Sequence, residues 1–180
     1  MRTAILCALL YSLLVATAAF AQSDTLTVSG VVESASAMFR APRTFMLRAA
    51  EKMPAEQYVF RPTPEVRSFA ELLGHIADGY RLVCATAAGD PLPADIQQHE
   101  KTAKEKVQLI EALRQTAEYC DGVHARLTGP KGAELVDWAG GRHPRATVLF
   151  FNSGHVWEHY GNVVTYLRLK EVVPPSSEPR

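Results

Sequence analysis

The segment from Ala146 to Leu169 carries no proline and is apolar nearly all round: Val148, Leu149, Phe150, Phe151, Val156, Trp157, Val163, Val164, Leu167 and Leu169 fall on several sides of a helix. Such a helix must be covered on at least two sides, so it lies centrally in a helical assembly or lends a face to a homodimer. One polar line interrupts it. Asn152, His155, His159, Asn162 and Tyr166 follow one another at steps of three and four, which puts them on one stripe. Polar groups along a buried stripe need partners, and a cation with its hydration shell would supply them. His155 and His159 stand about 6 Å apart along the axis, so both imidazoles can reach one ion. The spacing alone also fits two unrelated core or surface histidines.

Three other segments have helical periodicity. From Val28 to Met53, Val31, Val32, Ala35, Met38, Phe39, Phe45, Met46 and Ala49 recur at steps that predict a first helix. Pro42 is expected to kink it or mark a break. Met53 to Pro64, with three prolines and no period, reads as an irregular connection. Ser68-Phe69-Ala70-Glu71 is a capping box that opens a second helix ending near Ala88, before Gly89-Asp90-Pro91. His75 lies beside its apolar stripe, between Leu72 and Gly79, where it can face the interior. A lone histidine there is more often a satisfied core or boundary residue than a ligand.

Thr102-Ala103-Lys104-Glu105 reads as a second capping box, opening a third helix that runs to about Leu127. Its expected stripe is Ala103, Val107, Ile110, Leu113, Ala117, Cys120 and Leu127; Lys104, Lys106, Glu111, Arg114 and Glu118 form a solvated face. His99 precedes that helix and reads as a surface residue, and His124, near the end of the stripe, is a weaker ligand candidate. Thr128 to Pro144 is a glycine-rich loop containing Trp138 and His143, with room for a short strand pair. Pro174 to Ser177 closes the chain as a polar tail. No repeat, phosphate-binding glycine loop or alternating strand series is present, so the expected fold is all-α, a four-helix bundle.

Residues 1–21 carry the ordered parts of a secretory signal peptide: Arg2, an apolar run from Ile5 to Val15, and the cleavage-type triplet Ala19-Phe20-Ala21 before Gln22. The expectation is a signal peptide at 1–21, one domain over 22–180, and a periplasmic or secreted protein. No later run suggests a membrane span. The chain holds 19 Lys and Arg against 19 Asp and Glu with no basic cluster, and loss of the leader removes only Arg2, so nucleic acid is not an expected partner. Cys84 and Cys120 remain after cleavage. In an oxidising compartment a disulfide between them is the default reading, and two inert buried thiols the alternative.

Taken in order, Phe60-Arg61-Pro62-Thr63-Pro64, Ser68-Phe69-Ala70-Glu71-Leu72-Leu73-Gly74-His75, Gly154-His155-Val156-Trp157-Glu158-His159-Tyr160-Gly161-Asn162 and Tyr166-Leu167-Arg168 resemble the DinB-like (DinB/YfiT) superfamily over almost the whole mature chain. The resemblance implies a bundle whose second and third helices run parallel, joined by a long crossover. It also implies a divalent metal, zinc or nickel, held by His75 of the second helix and by His155 and His159 of the fourth. Members of known activity are thiol-dependent transferases or isomerases, and others are described as metal-dependent hydrolases. With parallel helices the two cysteines stand about 24 and 27 Å from their expected caps, at one level, so a bridge is within reach.

Three readings of function follow. A metal-dependent enzyme of hydrolase or transferase type, acting on a small molecule, needs three imidazoles and an open fourth position. Glu71, one turn before His75, is a candidate to orient that ring, although its part in the capping box is reason enough for it. A non-catalytic metal- or ligand-binding bundle is the alternative. His155-x-x-Glu158-His159 also fits the inverzincin pattern, but only Glu171 and Glu178 follow as acids, and that reading is rejected.

Overall fold

The computed structural model describes residues 27–179, and the signal peptide expected at 1–21 lies outside the described residues. In chain order the elements are α1 (Val28–Lys52), α2 (Phe69–Ala88), α3 (Gln98–Thr102), α4 (Lys106–Arg126), α5 (Pro130–Ala133), β1 (Leu135–Trp138), β2 (Gly141–Pro144) and α6 (Arg145–Leu169). The four long helices form the expected bundle around one apolar core that includes Phe39, Phe69, Leu73, Ile76, Leu113 and Leu149. Among the described residues no helix is long and apolar enough to cross a membrane.

Pro42 neither breaks nor ends α1. A proline at this position leaves the carbonyl four residues earlier without its helical donor. That carbonyl belongs to Met38, and the indole Nε1–H of Trp157 on α6 donates to it at 3.0 Å. A donor from a neighbouring helix thus replaces the missing bond. At the other end of α1, Lys106 Nζ donates to the carbonyls of Glu51 and Met53 at 2.6 and 2.9 Å.

The capping box at Ser68 and Glu71 forms as expected, with both reciprocal bonds present. The one expected at Thr102 does not. The Thr102 hydroxyl turns back to the Gln98 carbonyl at 2.7 Å and closes the five-residue α3. The third long helix, α4, starts instead after Glu105, whose N–H is met by the Gln108 side chain at 3.4 Å. The expected stripe is buried at Ala103, Leu113, Ala117, Cys120 and Leu127, with one exception. Val107, expected in the stripe, is 78% exposed in the first turn, while Leu109, Ala112, Leu113, Thr116, Cys120 and Val123 are buried.

Helices α2 and α4 run parallel. Asp90, just past the C-cap of α2, pairs with Arg126 in the last turn of α4 and accepts from Tyr119 OH at 2.6 Å. The crossover returns along α2, and Gly74 is where it touches: a Cβ there would lie 2.7 Å from the Glu100 backbone. Asp78, 7% exposed, fixes the same stretch by accepting from the backbone N–H of His99 and Glu100 at 3.1 and 2.9 Å, and from His99 Nδ1 at 2.7 Å. His99 is therefore half-buried and anchored, not the free surface residue expected. Cys84 and Cys120 are joined by a disulfide, with Cα atoms 5.4 Å apart.

The loop after α4 contains a hairpin, β1 against β2, with Leu135 opposite Pro144 and Trp138 opposite Gly141. Ala139 and Gly140, at φ 48° and 81°, make the two-residue connection, the left-handed pair that suits the twist of a tight hairpin. The tail is also more structured than expected. Pro174 and Pro175 are buried, Tyr160 OH bonds Ser176, and Glu178 pairs with Arg48 and Lys52 of α1.

Candidate metal centre

His75 and Gly79 are one turn apart on α2, as His155 and His159 are on α6, so each helix offers one short stripe to the other. Gly79 sets how closely they meet. A Cβ on it would lie 3.0 Å from His155 Cε1 and 3.6 Å from its Nδ1, so only glycine leaves the imidazole its full place. Opposite, His75 completes the group: one ligand atom from each of the three histidines lies within 4.8 Å of the others. The rings of His75 and His159 are 4.9 Å apart, and those of His155 and His159 4.3 Å.

The outer nitrogens define which atoms face inward. His75 Nδ1 lies 3.1 Å from Glu100 Oε2, and His159 Nδ1 lies 3.4 Å from the Asn162 amide. With both outer nitrogens engaged, the Nε2 atoms turn inward, and those of His155 and His159 are 2.9 Å apart. Two imidazole lone pairs at that distance repel unless a proton or a cation lies between them. Four-coordinate zinc, with bonds of about 2.0–2.1 Å, holds its nitrogens about 3.3 Å apart, so small ring movements would suit this group to such an ion. On α6 the surroundings favour the neutral imidazole, the form that ligates. Burial, then the neighbouring imidazoles and Arg67, push His159 down to about 4 and His155 below the usual histidine range. Nδ1 of His155 is buried without a hydrogen-bond partner.

Glu100 and Arg67 complete the surroundings. Although partial burial works against its charge, the Glu100 carboxyl is held below the usual range by Arg67, whose Nε donates at 2.8 Å, and by His75. Glu100 therefore takes the place expected for Glu71, which stays with Ser68 and Arg61. A carboxylate on the outer nitrogen of a metal-ligating histidine fixes its ring and raises its basicity. On the other side Phe151 stacks on His155 with centroids 5.9 Å apart, and Trp138 of the hairpin meets Phe151 at 5.3 Å. A groove of about 790 Å³ opens beside His159, between the loop preceding α2 and the face of α6 carrying Asn162, Thr165 and Tyr166. Three imidazole nitrogens next to an open groove are a donor set with room for a further ligand.

The other histidines stand apart from this group. His124, the weaker candidate, is buried against Phe39, with Nδ1 3.0 Å from Ser36 Oγ. His143 sits on β2. Of the polar line on α6, Asn152 donates to both sulfurs of the disulfide, at 3.3 and 3.7 Å, and Tyr166 OH donates to the Arg67 carbonyl at 2.6 Å. Neither residue belongs to the three-histidine group. Sequence reasoning misses Glu100 and Arg67, because a crossover and a connecting loop carry no period that would aim them.

Residues 38–163 match the family model for the DinB superfamily. No curated protein matches the chain in sequence. The fold superposes on the crystal structure of a DinB-like protein from Bacillus subtilis with a TM-score of 0.65 at 19% identity, covering 82% of this chain and 99% of that one. It also superposes on the mycothiol-dependent maleylpyruvate isomerase, with a TM-score of 0.62 at 15% identity, covering 73% of this chain and 60% of that one. At these identities the likeness is one of fold.

Proposed function

The chain belongs to the DinB superfamily, and on that premise we propose that it is a metal-dependent enzyme, of hydrolase or transferase type, acting on a small molecule. The observation that carries the reading is the convergence of His75, His155 and His159, with ligand atoms within 4.8 Å of one another. Zinc or nickel suits neutral imidazole donors. When bound, the cation supplies Lewis-acid polarisation of a substrate atom. The chain's own residues do the rest: Glu100 orients His75, Asn162 orients His159, and the groove admits substrate from the His159 side. The aromatic pair Trp138 and Phe151 covers His155.

Export belongs to the same reading. The signal-type features of residues 1–21 support it, and so does the Cys84–Cys120 bridge, since such bridges persist in oxidising compartments. Intact mass of exported protein should begin at Gln22, and a mass retaining residues 1–21 would refute cleavage there. The enzyme reading is tested with a panel of small esters, amides and thiol conjugates. Turnover lost on chelation and restored by zinc or nickel supports it; full metal occupancy with no turnover across the panel favours a non-catalytic metal-binding bundle.

A further inference from the structure

Two arginines line the groove beside His159, and they are not equivalent. Arg61 is committed at both ends of its guanidinium: one terminal nitrogen donates to the Val66 carbonyl at 3.0 Å, the other to Glu71 at 2.9 Å. Arg67 is tethered through Nε alone, to Glu100 at 2.8 Å. Among the described residues, its terminal nitrogens make no hydrogen bond to the protein, and its side chain is 40% exposed. The residue is nevertheless held in place. Its carbonyl accepts from Tyr166 OH at 2.6 Å, and the next residue, Ser68, caps α2. It is also close enough to the three-histidine group for its charge to be felt at His155 and His159.

The acids of the groove are already engaged, Glu71 by Arg61 and the Ser68 N–H, Glu100 by Arg67 and His75. Glu65 lines the groove's wall but stands exposed to solvent. What the groove has left to offer near the histidines is therefore a pair of parallel N–H donors on a fixed cation. That fork matches the two oxygens of a planar carboxylate and would be poorly used by a neutral or cationic group.

We infer that the substrate of this centre carries a carboxylate, held by the terminal N–H groups of Arg67 while a neighbouring part of the molecule meets the metal. The inference rests on the metal reading above. It makes Arg67 a specificity-determining residue and gives Glu100 two tasks, since one carboxylate orients both the His75 ring and the Arg67 fork.

The test uses full-length mature protein loaded with cobalt(II), whose visible spectrum reports changes at the metal. Glycolate, whose hydroxyl can meet the metal while its carboxylate meets Arg67, and its neutral counterpart glycolamide are titrated at neutral pH into wild type, Arg67→Gln and Arg67→Lys, with cobalt affinity measured separately for each. Wild type is expected to bind glycolate more tightly than glycolamide. Arg67→Gln should weaken glycolate about tenfold or more, the usual weight of a hydrogen bond to a charged group, and leave glycolamide unchanged. Arg67→Lys, which keeps the charge and can still pair with Glu100, should show an intermediate loss. Glycolate binding as tight in both variants as in wild type would overturn the inference while leaving the metal centre intact. Failure of wild type to take up cobalt would overturn the metal reading and the inference with it.

Discussion

Opening the Cys84–Cys120 bridge should cost the fold about 4 kcal/mol, most of it through the unfolded chain. The cysteines are 36 residues apart in sequence, and on the chain-entropy model releasing a loop of that length is worth about 3.8 kcal/mol at 25 °C. The native state adds a second, separable contribution. Both cysteines are fully buried, and Asn152 Nδ2 donates to their sulfurs at 3.3 and 3.7 Å. Reduced protein keeps the sulfurs near that amide, so it reports mainly the chain contribution. A Cys84→Ala, Cys120→Ala variant also strips the amide of its acceptors, adding about 1–3 kcal/mol for an unmet buried group. Urea unfolding of the oxidised, reduced and double-alanine forms, all metal-free, reads both. The reduced form should lose about 4 kcal/mol with a steeper urea dependence, because its unlinked unfolded chain exposes more surface. The double variant should be less stable still. A reduced form within about 1 kcal/mol of the oxidised one would refute the loop argument, and equal stability of the reduced and double-alanine forms would refute the role given to Asn152.

Other expectations are more local. Gly79→Ala should leave fold stability unchanged or raise it by up to about 1 kcal/mol through helix propensity, yet weaken zinc about tenfold or more by pressing on His155; chelator competition showing unaltered affinity would sink that account. Trp157→Phe should cost about 1 kcal/mol by depriving the Met38 carbonyl of its donor, and adding Pro42→Ala should recover part of the loss by restoring the helical N–H. No recovery would mean the indole bond is unrelated to the proline. His124, pushed down to about 4 by burial and by Arg40, is protonated more readily in the unfolded chain, where its value is about 6.5. Its contribution is therefore fully present above about pH 6.5 and lost as pH falls toward 4, about 3 kcal/mol in all. The stability difference between wild type and His124→Gln should change across that window, and a pH-independent difference would contradict the assignment.

The helices are legible where two local signals agree. Ser68 and Glu71 cap a segment whose apolar period begins at once, and α2 starts there. Thr102 and Glu105 have the same spacing, but Thr102 already ends a short helix docked by Asp78, a contact made across the fold between residues 21 and 22 apart in sequence. The stripe drawn from Ala103 holds at Leu113, Ala117, Cys120 and Leu127 and misses only at Val107, which falls in the exposed first turn of a helix that starts at Lys106. Pro42 shows the limit of a single-residue rule: its local cost is met by Trp157, which is 119 residues from Met38 in sequence. In the site, the histidines are readable because helical spacing converts directly into a shared face. Glu100 and Arg67 are not, because their positions follow from the crossover's path past Gly74 and from the loop that enters α2.

The central claim is that His75, His155 and His159 together hold one divalent cation, and metal content measures it most directly. Untagged protein recovered from the exported fraction should carry about one zinc or nickel per chain by elemental analysis, the load expected of a single three-nitrogen site. The His155→Ala, His159→Ala double variant should carry almost none, and His75→Ala little, while His99→Ala and His143→Ala keep theirs. Full occupancy in the double variant would contradict the account.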